Sequence, residues 1–272
     1  MNIFSIINGD TFELTRDKYM EATKKQYPYY QKIKGKKHTS YFAICPACKN
    51  PINIVNLIEK QYEEKKTHKI RTHGRHHKNN VRGLAIYNQQ NYDSCPLHNP
   101  IAFRLNEIRN DDAFNNGLLK IIQDNNDKII RNIREITGIY FKSTYLNQII
   151  KEYISARNYR YTHTNKFNIP YCILYAQQAL NLFGQKINTD TSNIGALICE
   201  AISQNSNFFT VTDNQIMKKP NISSYVNISL MVSHHVIRGE QQFIRISVNE
   251  SCDNIVYTIF KRQIEIRQYI YD

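Results

Sequence analysis

Ile44-Cys45-Pro46-Ala47-Cys48-Lys49 is the stretch that decides how the first part of this chain is read. Two cysteines two residues apart, with a proline after the first, form a tight turn whose thiolates can bind one tetrahedral ion together. A second half of the same form follows at Cys95-Pro96-Leu97-His98. Between them lies Thr72-His73-Gly74-Arg75-His76-His77, which offers three more imidazoles. Cys45, Cys48 and Cys95 are therefore expected to bind zinc. The fourth ligand is His98 or His76, and spacing does not separate them. The long linker and the cysteine-dominated shell favour a closed, structural zinc site over a catalytic one.

Working outward from the knuckles, 272 residues suffice for one large domain or two to three small ones. Apolar residues make up 41% and there are 19 tyrosines, which argues for a folded core. Six cysteines are too few and too unevenly spread for a secreted disulfide scaffold. Cys172 sits in an apolar stretch and reads as a small buried hydrophobe. No run of 18 apolar residues occurs, and Met1 to Asp10 lacks the basic start and apolar run of a secretory signal. The expectation is a cytoplasmic protein that makes no membrane contact.

Net charge is +13, and residues 1–100 hold 17 Lys plus Arg against 8 Asp plus Glu, so +9 of it lies there. A localised positive field attracts polyanions, with nucleic acid the commonest in cytoplasm. AT-rich coding bias would also enrich Lys, Asn and Ile. Tyr27, Tyr29 and Tyr30 lie among Lys24, Lys25, Lys32, Lys34, Lys36 and Lys37. That interleaving suits stacking on bases plus phosphate contact, and equally an amphipathic surface.

The periodicity changes twice along the chain. Residues 1–100 are irregular, with strand-like runs at Tyr41 to Ile44 and Ile52 to Ile58. Residues 101–204 place apolar side chains at helical spacing: Leu105, Ile108, Phe114, Leu118, Ile121 and Ile122, then Ile129, Ile133 and Ile136. A further helix carries Tyr145, Leu146, Ile149, Ile150, Tyr153 and Ile154, with Ser143 or Thr144 as its cap. Another is expected to start at Ile169-Pro170, bury Ile173, Ala176, Leu180 and Phe183, and stop at Gly184. Ile194 to Ile202 makes a short last helix. Residues 205–272 switch to period two at Tyr225 to Leu230, Phe243 to Val248 and Ile255 to Ile266, with a turn at Gly239-Glu240. The expected fold class is α+β: a basic zinc-binding N-terminal module, a helical bundle, and a small β-rich C-terminal part.

One motif stands in the helical part. The helix ending Tyr153-Ile154-Ser155-Ala156 runs into Arg157-Asn158-Tyr159-Arg160-Tyr161-Thr162-His163. Arg157 lies four residues after Tyr153 and seven after Ile150, so it is expected to continue the apolar stripe. A guanidinium on a packing face needs an anion or a partner surface. Over residues 101–203 the chain resembles the HEPN ribonucleases, helical bundles with an Arg-polar-x4-His signature at the end of a core helix. The other Arg-x4-His match, Arg71 to His76, lacks the polar residue and lies in the zinc region.

The resemblance implies a metal-independent endoribonuclease, working as a homodimer whose two motifs line one cleft. His163 would move the proton of a ribose 2′-hydroxyl, Arg157 would hold the phosphate, and Asn158 would orient them. It also implies a bacterial toxin or an antiviral abortive-infection effector acting on RNA, with an inhibitory or activating protein partner. Two rivals are open. Paired histidines, Asn91 and a terminal CxxH followed by Asn99 are loosely similar to HNH metal-dependent DNA nucleases. Arg75, however, stands where those carry an acidic residue before the first histidine. The other rival is a non-catalytic zinc protein that binds nucleic acid or a protein partner.

Overall fold

The computed structural model describes residues 1–32, 39–58, 71–190, 194–253 and 255–271. Lys34, Lys36 and Lys37 fall outside the described residues. The fold is mixed α+β, and the chain divides into two compact units. One comprises Met1–Ile101 with Gly239–Gln241 and Arg267–Ile270; the other comprises Ala102–Arg238, Gln242–Ile266 and Tyr271–Asp272.

The first unit is built on an antiparallel sheet. Its strands are β1 (Ile3–Ser5), β2 (Thr11–Glu13), β3 (Tyr30–Lys32), β4 (Thr39–Ile44), β5 (Pro51–Val55) and β6 (His73–His76), ordered β2-β1-β4-β5-β6 with β3 also on β4. Helix α1 (Arg16–Thr23) is capped by the Thr15 hydroxyl, which accepts from the Lys18 N–H at 3.2 Å. Ile3, Phe4, Tyr19 and Ile52 are fully buried. The Tyr19 hydroxyl donates to the Phe42 carbonyl at 2.7 Å, so the ring enters the core without an orphaned polar atom. A five-residue helix, α2 (Gln89–Asp93), precedes Cys95.

The second unit opens with α3 (Asp112–Asp124) and α4 (Asn126–Thr137). These are followed by β7 (Ile139–Tyr140), α5 (Ser143–Ser155), α6 (Ile169–Tyr175), β8 (Leu180–Asn181), β9 (Lys186–Ile187) and α7 (Ile194–Asn205). Then come β10 (Phe209–Thr212), β11 (Gln215–Lys218) and the long strands β12 (Val226–Arg238), β13 (Gln241–Cys252) and β14 (Ile255–Glu265). Two four-stranded sheets result, β10-β11-β9-β7 and β14-β13-β12-β8. Alternate residues of β12 and β13 are buried, with Ile228, Leu230, Ile244, Ile246 and Val248 shielded from water. Among the described residues no helix is long and apolar enough to cross a membrane.

Three expectations are corrected. Helix α6 ends at Tyr175, and Leu180-Asn181 is a strand paired with β12. Leu180 and Leu182 are buried while Phe183 is half exposed, so the local period is two rather than helical. Leu105 and Ile108 lie before α3 and are exposed, because the chain enters that helix only at the Asp111 cap. Residue Lys142, not Ser143 or Thr144, occupies the cap of α5, and the Ser143 hydroxyl instead accepts from the Arg134 guanidinium at 2.9 Å.

Helix α7 meets a tight approach at Gly195. A Cβ there would collide with the Asn188 carbonyl and lie 2.6 Å from the Gly138 carbonyl. Backbone oxygens cannot swing aside as a side chain can. Gly195→Ala should therefore lower stability by about 1–3 kcal/mol, read from the urea midpoint; an unchanged midpoint would refute the close approach.

Candidate metal centre

The first knuckle is a turn between β4 and β5. The Cys45 N–H donates to the Asn50 carbonyl at 2.8 Å and the Lys49 N–H to the Cys45 carbonyl at 3.0 Å. Lys49 takes φ 62°, the left-handed conformation that reverses the chain. Asn50, buried, ties this turn to α2: its amide donates to the Asn88 carbonyl at 2.9 Å and its carbonyl accepts the Asn88 N–H at 2.6 Å. The Asn88 side chain caps α2 through the Asn91 N–H at 2.8 Å. The helix then delivers Cys95, whose carbonyl accepts the N–H groups of His98 and Asn99. On the other side, β6 pairs with β5 so that Ile52 faces His76. The sheet register thus aims one imidazole at the knuckle.

Cys45, Cys48, His76 and Cys95 converge, all buried, with their donor atoms within 4.8 Å of one another. Cys45 Sγ lies 3.8 Å from Cys95 Sγ, and His76 Nε2 lies 3.5 Å from both Cys48 Sγ and Cys95 Sγ. Zinc–sulfur and zinc–nitrogen bonds at tetrahedral angles give edges of about 3.8 Å between sulfurs and about 3.5 Å between sulfur and nitrogen. The donor set and the spacing both fit zinc. Without a cation the thiols crowd one another. Hydrogen bonds from Cys45 and Cys95 pull the Cys48 thiol far below its usual range, while Cys45 is driven up by its bond to Cys48. A dication relieves this competition by taking all three as thiolates.

His98 is not in this set. Its Nδ1 pairs with Glu240 at 2.7 Å, and its ring stacks 3.8 Å from Tyr92. His76, His98 and Glu240 form a second group of possible donors. Of the residues behind the HNH resemblance, His77 packs on the Phe42 ring at 5.3 Å, and among the described residues it belongs to neither donor group. The Asn99 amide is spent on the Asp93 carbonyl at 2.8 Å. His73 has its Nδ1 3.0 Å from the Arg71 carbonyl. Arg75 is exposed.

The Arg-Asn-x4-His stretch is placed differently from its reading. Helix α5 stops at Ser155, Arg157 takes φ 56°, and its side chain is exposed. It does not continue the apolar stripe, because the chain has left helical geometry before reaching it. Asn158 opens a short 3-10 turn, Asn158–Arg160, and its carbonyl accepts from the Tyr153 hydroxyl at 3.2 Å. His163 is only 3% exposed. It stacks on Phe103 at 4.5 Å, and Phe103 stacks on His235 at 4.2 Å on a near-parallel plane. Backbone N–H groups of Arg104 and Phe103 donate to Nδ1 of His163 and His235, which leaves any ring proton on Nε2. Burial, then the neighbouring His235 and Arg109, pushes His163 down to about 4.

The expectation of a metal-independent HEPN-type endoribonuclease is therefore withdrawn. The chain carries a buried metal-binding cluster with a second His-His-Glu group beside it, which does not accord with a strictly metal-independent mechanism. Sequence reasoning missed Glu240 and Phe103, and it gave the His234-His235 pair no role although alternation on a strand turns one of the two inward. Glu240 carried one signal, its place in the predicted Gly239-Glu240 turn. Known protein families, curated proteins and solved structures were compared with the chain, and none matches it.

Proposed function

We propose that this chain is a non-catalytic zinc protein whose basic N-terminal unit binds single-stranded nucleic acid, RNA in particular. The observation that carries the reading is the closed donor shell. Four buried protein groups with donor atoms within 4.8 Å of one another match the four positions of a tetrahedral zinc, which would leave none for water or substrate. The chemistry zinc supplies when bound is then structural, joining the β4–β5 turn, β6 and Cys95, two residues beyond α2. Exposed cations are left for a polyanion: Lys24, Lys25, Lys32, Lys49, Arg75, Lys78 and Arg82. Tyr27 is 60% exposed beside Lys24 and Lys25, in reach of a base to stack on.

A labelled single-stranded RNA oligonucleotide tests this. Binding should weaken steeply with salt: four neutralised phosphates predict about 50-fold between about 50 and 200 mM. Lys24→Glu with Lys25→Glu should flatten that slope, and the RNA should stay intact with or without magnesium. Salt-insensitive or absent binding would contradict the proposal. Divalent-dependent cleavage of DNA, lost in His77→Ala, would replace it with the HNH-like reading.

A further inference from the structure

A zinc-bound imidazole leaves an obligation at its other nitrogen. When His76 Nε2 ligates the metal, the neutral ring carries its proton on Nδ1. His76 Nδ1 is buried and has no hydrogen-bond partner. A donor left so is costly. Close by, Glu240 offers a carboxylate and His98 a ring, with donor atoms of His76, His98 and Glu240 within 4.8 Å of one another. The His76 and His98 rings meet edge-on at 5.4 Å. Glu240 sits on the Gly239–Gln241 turn, which belongs to the same compact unit as the cluster.

Two occupants could explain this group, a second metal ion or a hydrogen-bonded relay. The His98 Nδ1 to Glu240 Oε1 distance is 2.7 Å. Nitrogen and oxygen ligands on one tetrahedral zinc would stand about 3.3 Å apart, whereas 2.7 Å is the length of a charge-assisted hydrogen bond. The relay fits. One Glu240 oxygen is engaged by His98, and the second oxygen retains its acceptor capacity.

We propose that Glu240 is a positioning residue for the zinc site: its carboxylate bridges His98 and the Nδ1–H of metal-bound His76. The bridge locks the His76 ring toward the three thiolates and raises its basicity, as carboxylates behind zinc-bound histidines do. This rests on zinc being held by Cys45, Cys48, His76 and Cys95.

The test is zinc affinity of the full chain, measured by competition with a chromophoric chelator. Glu240→Ala should weaken binding about 10–100-fold, and Glu240→Gln, which keeps an acceptor but not the charge, should fall between it and wild type. The cobalt-substituted spectra should keep the same ligand set in all three. In wild type the His76 Nδ1 proton should appear downfield and exchange slowly by NMR, and Glu240→Ala should abolish that protection. Unchanged affinity and unchanged exchange in Glu240→Ala would overturn the proposal while leaving the zinc reading intact. Two zinc ions per chain, with one lost in Glu240→Ala, would overturn it in favour of a second metal site. A wild type that binds no zinc would instead remove the reading on which it rests.

Discussion

Cys45→Ser or Cys48→Ser should yield a chain that holds no zinc and whose first unit is unfolded or insoluble. Structural zinc in small modules binds with apparent free energies of about 10–16 kcal/mol at neutral pH. A domain of ordinary size has a total stability of only about 5–15 kcal/mol. Losing one of the three thiolates also leaves the other two and His76 around an incomplete donor set in a buried site. The sheet cannot compensate, because β5 and β6 reach the site through the turn and the register that the ion joins. Metal analysis should find one zinc per wild-type chain and none in the variants. Circular dichroism and limited proteolysis should show the first unit lost. His98→Ala is the control, and its stoichiometry should stay at one because His98 faces Glu240 rather than the thiolates. A zinc-free wild type that is well folded would defeat the metal assignment.

The first knuckle was legible because its chemistry lies in local spacing: a turn of two residues brings Cys45 to Cys48 whatever the rest of the chain does, whereas of the second only Cys95 joins the donor set. The choice between His76 and His98 was not local. It is made by the pairing of Ile52 with His76 across β5 and β6, a register that spacing alone does not specify. The period-two strands at the C-terminal end were legible for the same reason as the first knuckle, since alternation over many residues has only one structural meaning. Leu180 failed because a short apolar run fits both periods, and pairing with β12 decides between them. Arg157 failed more instructively. Counting positions from Ile150 and Tyr153 assumes that the helix continues, and this one ends two residues earlier, turning the side chain out to solvent. Glu240, Phe103 and His235 acquire their roles only from partners far away in sequence, so no window around them could show it.

His163 should make the second unit acid-sensitive. An ordinary histidine takes up its proton near 6.5, whereas the folded His163 does so only near 4. The unfolded chain therefore binds more protons between those values, and stability falls as pH falls through that window. The contribution is complete above about pH 6.5 and amounts to about 3 kcal/mol for this well-buried ring; below about pH 4 no more is lost. His235, also held down by burial, acts with the same sign. Protonation would also end the acceptance of the Arg104 N–H by Nδ1, since the charged ring has two donors and no acceptor. His163→Phe separates these effects. It keeps a ring on Phe103 but cannot titrate, and it leaves the Arg104 N–H without a partner. At about pH 7 the variant should be less stable by about 1–3 kcal/mol. Between about pH 7 and 4.5 it should lose much less further stability than wild type, so its deficit should narrow. Urea unfolding of both chains at both pH values measures this, and acid release of zinc cancels because the metal site is the same in each. Equal pH dependence in wild type and His163→Phe would show that the stacked ring is not the acid-labile element.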